Sequence, residues 1–343
     1  MKKLLNTLYI TSEMRYLSLD GGNVVIKEKD CEIGRMPLHN LDMIVTFSRL
    51  GVSPALMGKC AEQNIPIVFL TPNGTYLARV EGKIRGNVLL RKKQYRVSEN
   101  ILDSTTIAVN FILGKVYNER WVVERVKRDH ALQVNAEKLM DASEKMHNSL
   151  QMIASCDSLE TLRGYEGETA SIYFSVFDDM ILQQKEAFFF RGRNRRPPLD
   201  NVNALLSFVY TLLANMTAAA LETVGLDPCV GFMHGDRPGR YSLALDMMEE
   251  LRPALADRFV LRLINKRIVT TKDFQQKEDG AILLTDSARK IVLAEWQKRK
   301  QEEITHPYLN EKIPWGMVPY AQAMLLARHL RGDIEAYPPF FWK

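Results

Sequence analysis

The sequence predicts an α+β chain, a β-rich first part followed by a larger helical part. Short runs with strand character, separated by strong turn signals, fill the first eighty residues. From about Asp103 onward, apolar residues recur at helical spacing over long segments. The chain has 343 residues, enough for two domains at roughly 150 residues each. It is 46% hydrophobic and 25% charged, an ordinary globular composition that excludes disordered, collagen-like and coiled-coil classes.

Strands are expected at Thr7–Thr11, Asn23–Lys27, Met43–Phe47, Pro66–Leu70 and Thr75–Val80, with turns at Asp20-Gly21-Gly22-Asn23 and Pro72-Asn73-Gly74. One helix is expected among them, over Ser53–Gln63, where Leu56, Met57, Cys60 and Ala61 share a face. This part, residues 1–82, buries a limited core and suits an assembly platform. Residues 83–100 read as a basic joint, with Lys83, Arg85, Arg91, Lys92, Lys93 and Arg96. Residues 101–343 read as a helical domain, with periodic segments over Thr105–Ser155, Glu160–Phe190, Asn201–Thr223, Ser242–Phe259 and Thr285–Glu303. A small hairpin is expected where Asp279-Gly280 separates Val269–Phe274 from Ala281–Leu284. The aromatic, proline-rich end from Tyr337 to Trp342 predicts a docked or mobile tail without regular structure.

Lys plus Arg minus Asp plus Glu is 46 − 41, a net charge of +5 that permits a polyanionic partner without demanding one. Four scattered cysteines with no CxxC pair read as reduced thiols, consistent with the cytoplasm and not with a disulfide framework or zinc site. No signal-peptide pattern follows Met1, so export is not expected. Asn201–Leu221 lacks charge over a span-sized length. Asn203, Ser207, Thr211 and Asn215 nevertheless draw a polar stripe down one face, which suits a core helix turned toward a polar site and not a membrane.

Three segments can carry chemistry. The first, Arg163-Gly164-Tyr165-Glu166-Gly167-Glu168, places two glycines around Glu166 within a helical pattern, each costing about 1 kcal/mol relative to alanine. Glycine there suits close approach of a ligand or another backbone. A loop-to-helix junction, with the acids at a helix N-terminus, accounts for the same residues. The second segment sets His234 in a Gly/Pro loop with Arg237 and Arg240, ahead of a helix on which Asp246 and Glu249 share a face at i and i+3. Helix-dipole stabilisation is the plainer reading of those acids. Together, one histidine, two or three carboxylates and Arg163, Arg237 and Arg240 suit a divalent cation acting on phosphate. Carboxylates are hard ligands for Mg²⁺ or Mn²⁺, and an imidazole leans toward Mn²⁺. HExxH, GxxxxGK[ST] and GxSxG motifs are absent, which speaks against zinc hydrolase, P-loop and α/β-hydrolase chemistry. The third segment, Phe188 to Pro198, holds Arg191, Arg193, Arg195 and Arg196 behind three aromatics, fit to grip a nucleic-acid backbone or to form a solvated charge run. Arg91 in the basic joint repeats the theme.

These residues resemble a known family. Arg163-Gly164-Tyr165-Glu166-Gly167, Asn194 to Asp200 followed by Asn203 to Ser207, and Gly231 to Arg240 with Ser242 to Asp246 look like the CRISPR-associated integrase Cas1. Gly86 to Tyr95 and Met36 to Leu41 are similar too, and the set runs in the family's order over nearly the whole chain, in the flavour of subtype I-C. The resemblance implies an N-terminal β-sandwich, a larger α-helical catalytic domain, and a homodimer built largely through the N-terminal domains, two such dimers flanking a central dimer of the small partner Cas2. It implies insertion of protospacer DNA at CRISPR repeat boundaries by attack of a 3′-hydroxyl on a phosphodiester. Glu166, His234 and Glu249 match the family's metal ligands, with Asp246 as the nearby acid; the family often has Asp at Glu249, which leaves the direct ligand open between Asp246 and Glu249. Arg163 and Arg237 match DNA-contacting positions. A repair-type nuclease on branched DNA and a non-catalytic DNA-binding scaffold are the alternatives.

Overall fold

The computed structural model describes residues 6–41, 43–71, 76–80, 82, 88–194 and 197–343. The expected Pro72-Asn73-Gly74 turn, Lys83, Arg85, Arg195 and Arg196 lie outside them.

Among the described residues, seven strands open the chain: β1 (Thr7–Ile10), β2 (Tyr16–Asp20), β3 (Asn23–Glu28), β4 (Cys31–Pro37), β5 (Met43–Thr46), β6 (Ile67–Leu70) and β7 (Tyr76–Val80). Helix α1 (Pro54–Glu62) precedes β6, started by the Ser53 hydroxyl accepting the Leu56 N–H at 3.2 Å. One sheet has the order β1-β5-β6-β7, parallel up to β6 and antiparallel at β7; the other is the antiparallel meander β2-β3-β4. Strands β2 and β4 escape the sequence expectation. The β3–β4 turn is made by Lys29 and Asp30 with φ of 48° and 65°, so no glycine announces it. Ile10, Ile44 and Ile67 of the first sheet share a core with Leu17 and Val24 of the second and with Leu56 and Cys60 of α1. The first sheet's other face (Val45, Phe47, Val68) joins the main helical core instead.

The basic joint is helical from Val88 on. Helix α2 (Val88–Glu99) buries Leu90, Gln94 and Val97, and Asn100 caps the next helix by accepting the Leu102 N–H at 3.0 Å. The single long helix expected over Thr105–Ser155 is two, α3 (Ile101–Asp129) and α4 (Ala136–Ala154), because Asn135 caps a fresh start at the Lys138 N–H, 3.0 Å. Helix α5 (Leu159–Ser175) stops far short of Phe190. Beyond it Asp178 takes the Phe190 N–H at 2.7 Å, and the buried Phe188 and Phe190 pin an irregular segment to the core. Helix α6 (Asn201–Val224) is capped by Asp200, which accepts the Asn203 N–H at 2.7 Å, and ends at Gly225 with φ of 87°. It is long and apolar enough to cross a membrane, but most of it is buried inside the protein.

The helix expected over Ser242–Phe259 is interrupted. Helix α7 (Ser242–Glu249) gives way to a π-helical turn at Arg252–Asp257 before α8 (Arg258–Asn265). Pro253 has no N–H for the Glu249 carbonyl, so the α-helical bond pattern cannot run through. The hairpin β8 (Phe274–Gln276) and β9 (Ile282–Leu284), turned by Gly280 at φ 80°, follows as expected, and then α9 (Asp286–Gln301). The unexpected β10 (Glu303–Thr305), β11 (Lys312–Pro314) and α10 (Val318–Arg331) complete the elements. The tail is docked: Tyr337, Phe340 and Trp342 are buried without regular structure.

Candidate functional site

Three stretches distant in sequence meet at one place. On α5 the helix runs straight through Gly164 and Gly167, and a Cβ at either would meet nothing within 4 Å. The glycines therefore lie on an open helical face and not at a loop-to-helix junction. Arg163 donates to the Met233 carbonyl at 2.5 Å, tying this face to the loop that carries His234. Glu166, one turn on, is half-buried.

That loop is folded over α7 by one carboxylate. Asp246, fully buried, accepts the backbone N–H groups of Phe232 (2.7 Å), Met233 (2.9 Å) and His234 (3.0 Å). Its Oδ1 also takes the Nδ1–H of His234, which leaves the ring's Nε2 as the free nitrogen. Gly231 permits the wrap, since a Cβ there would stand 2.8 Å from Asp246 Oδ2 and from the His234 carbonyl. Asp246 is thus saturated by its own loop. Arg237 is exposed and Arg240 half-buried farther along it.

Glu249 points elsewhere. It is 3% exposed and lies between two cations, with Arg252 at 2.8 Å from Oε1 and Lys115 at 3.1 Å from Oε2. Burial works against its charge, but Arg252 and Lys115 hold its carboxyl below the usual range, with a smaller contribution from His234. Lys115 comes from the middle of α3, and its ammonium pairs with Glu166 as well. Burial opposes its charge too; Glu249, Glu119 and Glu166 overcome that and raise its pKa. Gly114 sets the helix spacing beside it, as a Cβ there would lie 2.8 Å from Cβ of Glu250. Two carboxylates from different helices therefore converge on one buried ammonium. Among the described residues, no three His, Cys or carboxylate side chains are gathered closely enough to hold a metal as they stand. The donor set nonetheless suits a hard divalent cation: Glu249 Oε2 is buried with no hydrogen bond of good geometry, Glu166 faces the same point, and His234 keeps a free nitrogen.

A cavity of about 530 Å³ opens from this point between α3, α5 and α6. Lys115, Glu166, Arg193, Tyr210 and Arg252 line it. Arg193 is anchored on the polar stripe of α6, donating to Asn203 Oδ1 at 2.6 Å and Ser207 Oγ at 3.1 Å. The stripe thus builds the wall that the sequence pattern foretells. Asp257, on the π-helical turn, accepts from Tyr210 (2.6 Å) and Tyr173 (3.2 Å); burial pushes it up to about 6 against those hydrogen bonds. Burial likewise pushes Glu119 up to about 8. Arg91 lies apart on α2, near Tyr95 and outside the cavity lining.

Lys115, Glu119, Arg252, Asp257 and the two tyrosines are absent from the sequence expectation. The available signal is Lys115 and Glu119 at i, i+4 on a helix face otherwise filled by Ile112, Val116 and Val122. Behind the site, Glu250 is buried against the tail. It accepts from Tyr337 Oη, Gln322 Nε2 (3.0 Å) and the Phe340 N–H (2.8 Å), while Asn118 donates to the Glu250 and Phe340 carbonyls at 2.7 Å each.

Comparison with known proteins agrees with this architecture. The family described as CRISPR associated protein Cas1 matches residues 8–298. A CRISPR-associated endonuclease Cas1 of Rhodospirillum rubrum is 53% identical over all of both chains. Among solved structures, a casposase bound to integration product superposes with a TM-score of 0.84 at 22% identity, covering 98% of this chain and 93% of that one. A chain of a Cas6-RT-Cas1–Cas2 complex superposes at 0.82 and 22% identity, covering 98% of this chain and 36% of that one. At such identities the two structures speak for the fold.

Proposed function

The chain belongs to the Cas1 family of CRISPR-associated proteins, and from that premise we propose that it is a DNA endonuclease and integrase of CRISPR adaptation, joining protospacer DNA to repeat boundaries in the cytoplasm. The observation that carries this reading is the convergence of Glu166 and Glu249 on Lys115, beside a histidine oriented by Asp246 and a cavity edged by Arg193 and Arg252. Such a site suits a phosphodiester.

In this reading the 3′-hydroxyl of a protospacer strand attacks phosphorus at the repeat boundary. A new P–O bond forms, the bond to the flanking 3′-oxygen breaks, and that oxygen leaves as a hydroxyl. The attacking hydroxyl gives up its proton. One phosphodiester replaces another, so no nucleotide triphosphate is consumed, in keeping with the missing P-loop. With water as the attacker, the same centre cuts DNA. Glu166, Glu249 and Nε2 of His234 would hold Mg²⁺ or Mn²⁺, which when bound polarises the phosphate and offsets the charge that develops on its oxygens. Asp246 keeps the imidazole in the Nδ1–H tautomer and fixes its direction. That division of labour assigns Glu249 as ligand and Asp246 as the positioning acid. Arg163, Arg237 and Arg240, beside or on the histidine loop, would hold the DNA backbone, with Arg193 at the cavity edge; the sequence adds Arg91, Arg195 and Arg196 as further DNA contacts.

In the same reading the N-terminal domain is a β-sandwich that serves as the homodimer face, and Cas2 bridges the dimers; the presence of Cas2 in the complex of a structural neighbour supports Cas2 as a partner. The deciding experiment incubates the protein, with and without Cas2, with a labelled 3′-hydroxyl protospacer and a supercoiled repeat plasmid. We expect label transfer that needs Mg²⁺ or Mn²⁺, fails with a 3′-dideoxy end, and disappears in His234→Ala. Binding unaffected by His234→Ala, with neither product, would reduce the chain to a scaffold.

A further inference from the structure

The second large cavity lies away from this centre, at the far end of α3. Arg125, ten residues beyond Lys115, sits about 15 Å farther along the helix axis, and the cavity shares no lining residue with the one that holds Glu166. Its volume is about 680 Å³, within the range of small-ligand sites. Five cations line it (Arg125, Arg258, Arg262, Lys266 and Arg299) against two acids, Asp129 and Glu302.

Both acids are already engaged. Asp129 pairs with Arg128 at 2.9 Å, outside the cavity lining. Glu302 is shared by Arg262, at 2.5 Å, and Arg299. Among the described residues, neither Arg125 nor Arg258 has a carboxylate within ion-pair distance. Both instead stand over the indole of Trp342, at 4.6 Å and 4.4 Å from its centroid. Burial, reinforced by Arg299 and Arg125, pushes Arg258 down to about 10. Mutually repelling, half-buried guanidiniums cost stability unless an anion joins them, and planar guanidinium forks suit phosphate oxygens. Among the described residues, Glu302 and Asp129 act on Arg258 from farther off, and neither closes an ion pair with it or with Arg125.

We propose that this cavity is a phosphate-binding site, distinct from the catalytic centre, that takes a phosphate ester of at least two negative charges on Arg125 and Arg258. The phosphate could belong to a free nucleotide or to a nucleic-acid strand, and the chemistry of recognition is shared. The proposal does not rest on the integrase reading.

The test is titration of the whole protein with inorganic pyrophosphate, followed by calorimetry and by thermal shift. Saturable binding to the wild type, weakened at least tenfold in Arg258→Gln and in Arg125→Gln but unchanged in His234→Ala, is the expected result. Having both variants guards against loss of folding in either, which circular dichroism checks. A short oligonucleotide that displaces pyrophosphate would identify a strand as the source; displacement by a nucleoside diphosphate alone would identify a free ester. Absence of pyrophosphate binding would overturn the proposal. So would binding that both arginine variants retain, or binding lost only in His234→Ala, since the anion would then sit at the catalytic centre.

Discussion

Lys115 has more consequence than any residue the sequence singled out. It stands where Glu166 and Glu249 would otherwise repel each other, and it shares Glu249 with Arg252. Replacing it with methionine should cost about 1–3 kcal/mol, because Glu249 keeps Arg252 and Glu166 stays partly open to water. Chemical denaturation in chelator should show that loss, and Mn²⁺ should restore part of it by taking the ammonium's place. Glu119 makes a second residue-scale prediction. Because burial raises its pKa from 4.5 to about 8, the folded protein keeps its proton while the unfolded chain loses it. Stability should therefore fall as pH rises through that interval, by up to about 1.4 kcal/mol per pH unit. Glu119→Gln should flatten that slope, and equal slopes in both proteins would place the titration elsewhere. None of this was legible in the sequence, because Lys115 and Glu166 are 51 positions apart and only the packing of α3 against α5 reveals that they meet.

At the scale of elements, what could be read depended on whether the local pattern was its own cause. Helix α6 was legible because its cap, its apolar faces and its polar stripe all lie within one segment. The α3–α4 break was not, since apolar spacing continues across it and only Asn135 signals a new start. The tail was legible only as a docked or mobile segment; its anchors, Asn118 on α3 and Glu250 just past α7, lie far upstream. Those anchors make the tail part of the site's support, as Glu250 directly follows Glu249. Phe340→Ala should cost about 3–5 kcal/mol as a buried aromatic truncation and lower catalytic turnover more than DNA affinity. A denaturant melt and a binding isotherm separate the two effects. A melt unchanged by the substitution would make the tail an ornament of the fold.

For the whole molecule, the N-terminal sheets and the helices behave as one body. Phe47 stacks toward Phe208 at 6.2 Å, Arg79 pairs with Glu222 at 2.5 Å, and Lys300 donates to Thr7 at 2.9 Å. The first sheet's helix-facing side is therefore occupied within the protomer, which leaves the β2-β3-β4 meander as the more open face for assembly. Substituting the exposed Ile33 on β4 with Lys should weaken the proposed self-association while sparing the melting temperature. Light scattering reads the first effect and calorimetry the second. The division into a β-rich and a helical part was legible from turn spacing and apolar period, whereas the face shared between them was not, because no local pattern encodes a contact between segments so distant.

The stitch through Asn118 bears on how the chain reaches this state. Its side chain bonds Phe340 and Trp342, 222 and 224 positions downstream. Closing so large a loop carries an entropic barrier that short-range contacts do not, which places the corner around Lys115 and Glu249 late in folding, after the sheets and the α3–α4 pair. In a refolding experiment, the proposed DNA-joining activity should return with the slowest change in tryptophan emission, well after circular dichroism has recovered its helical signal.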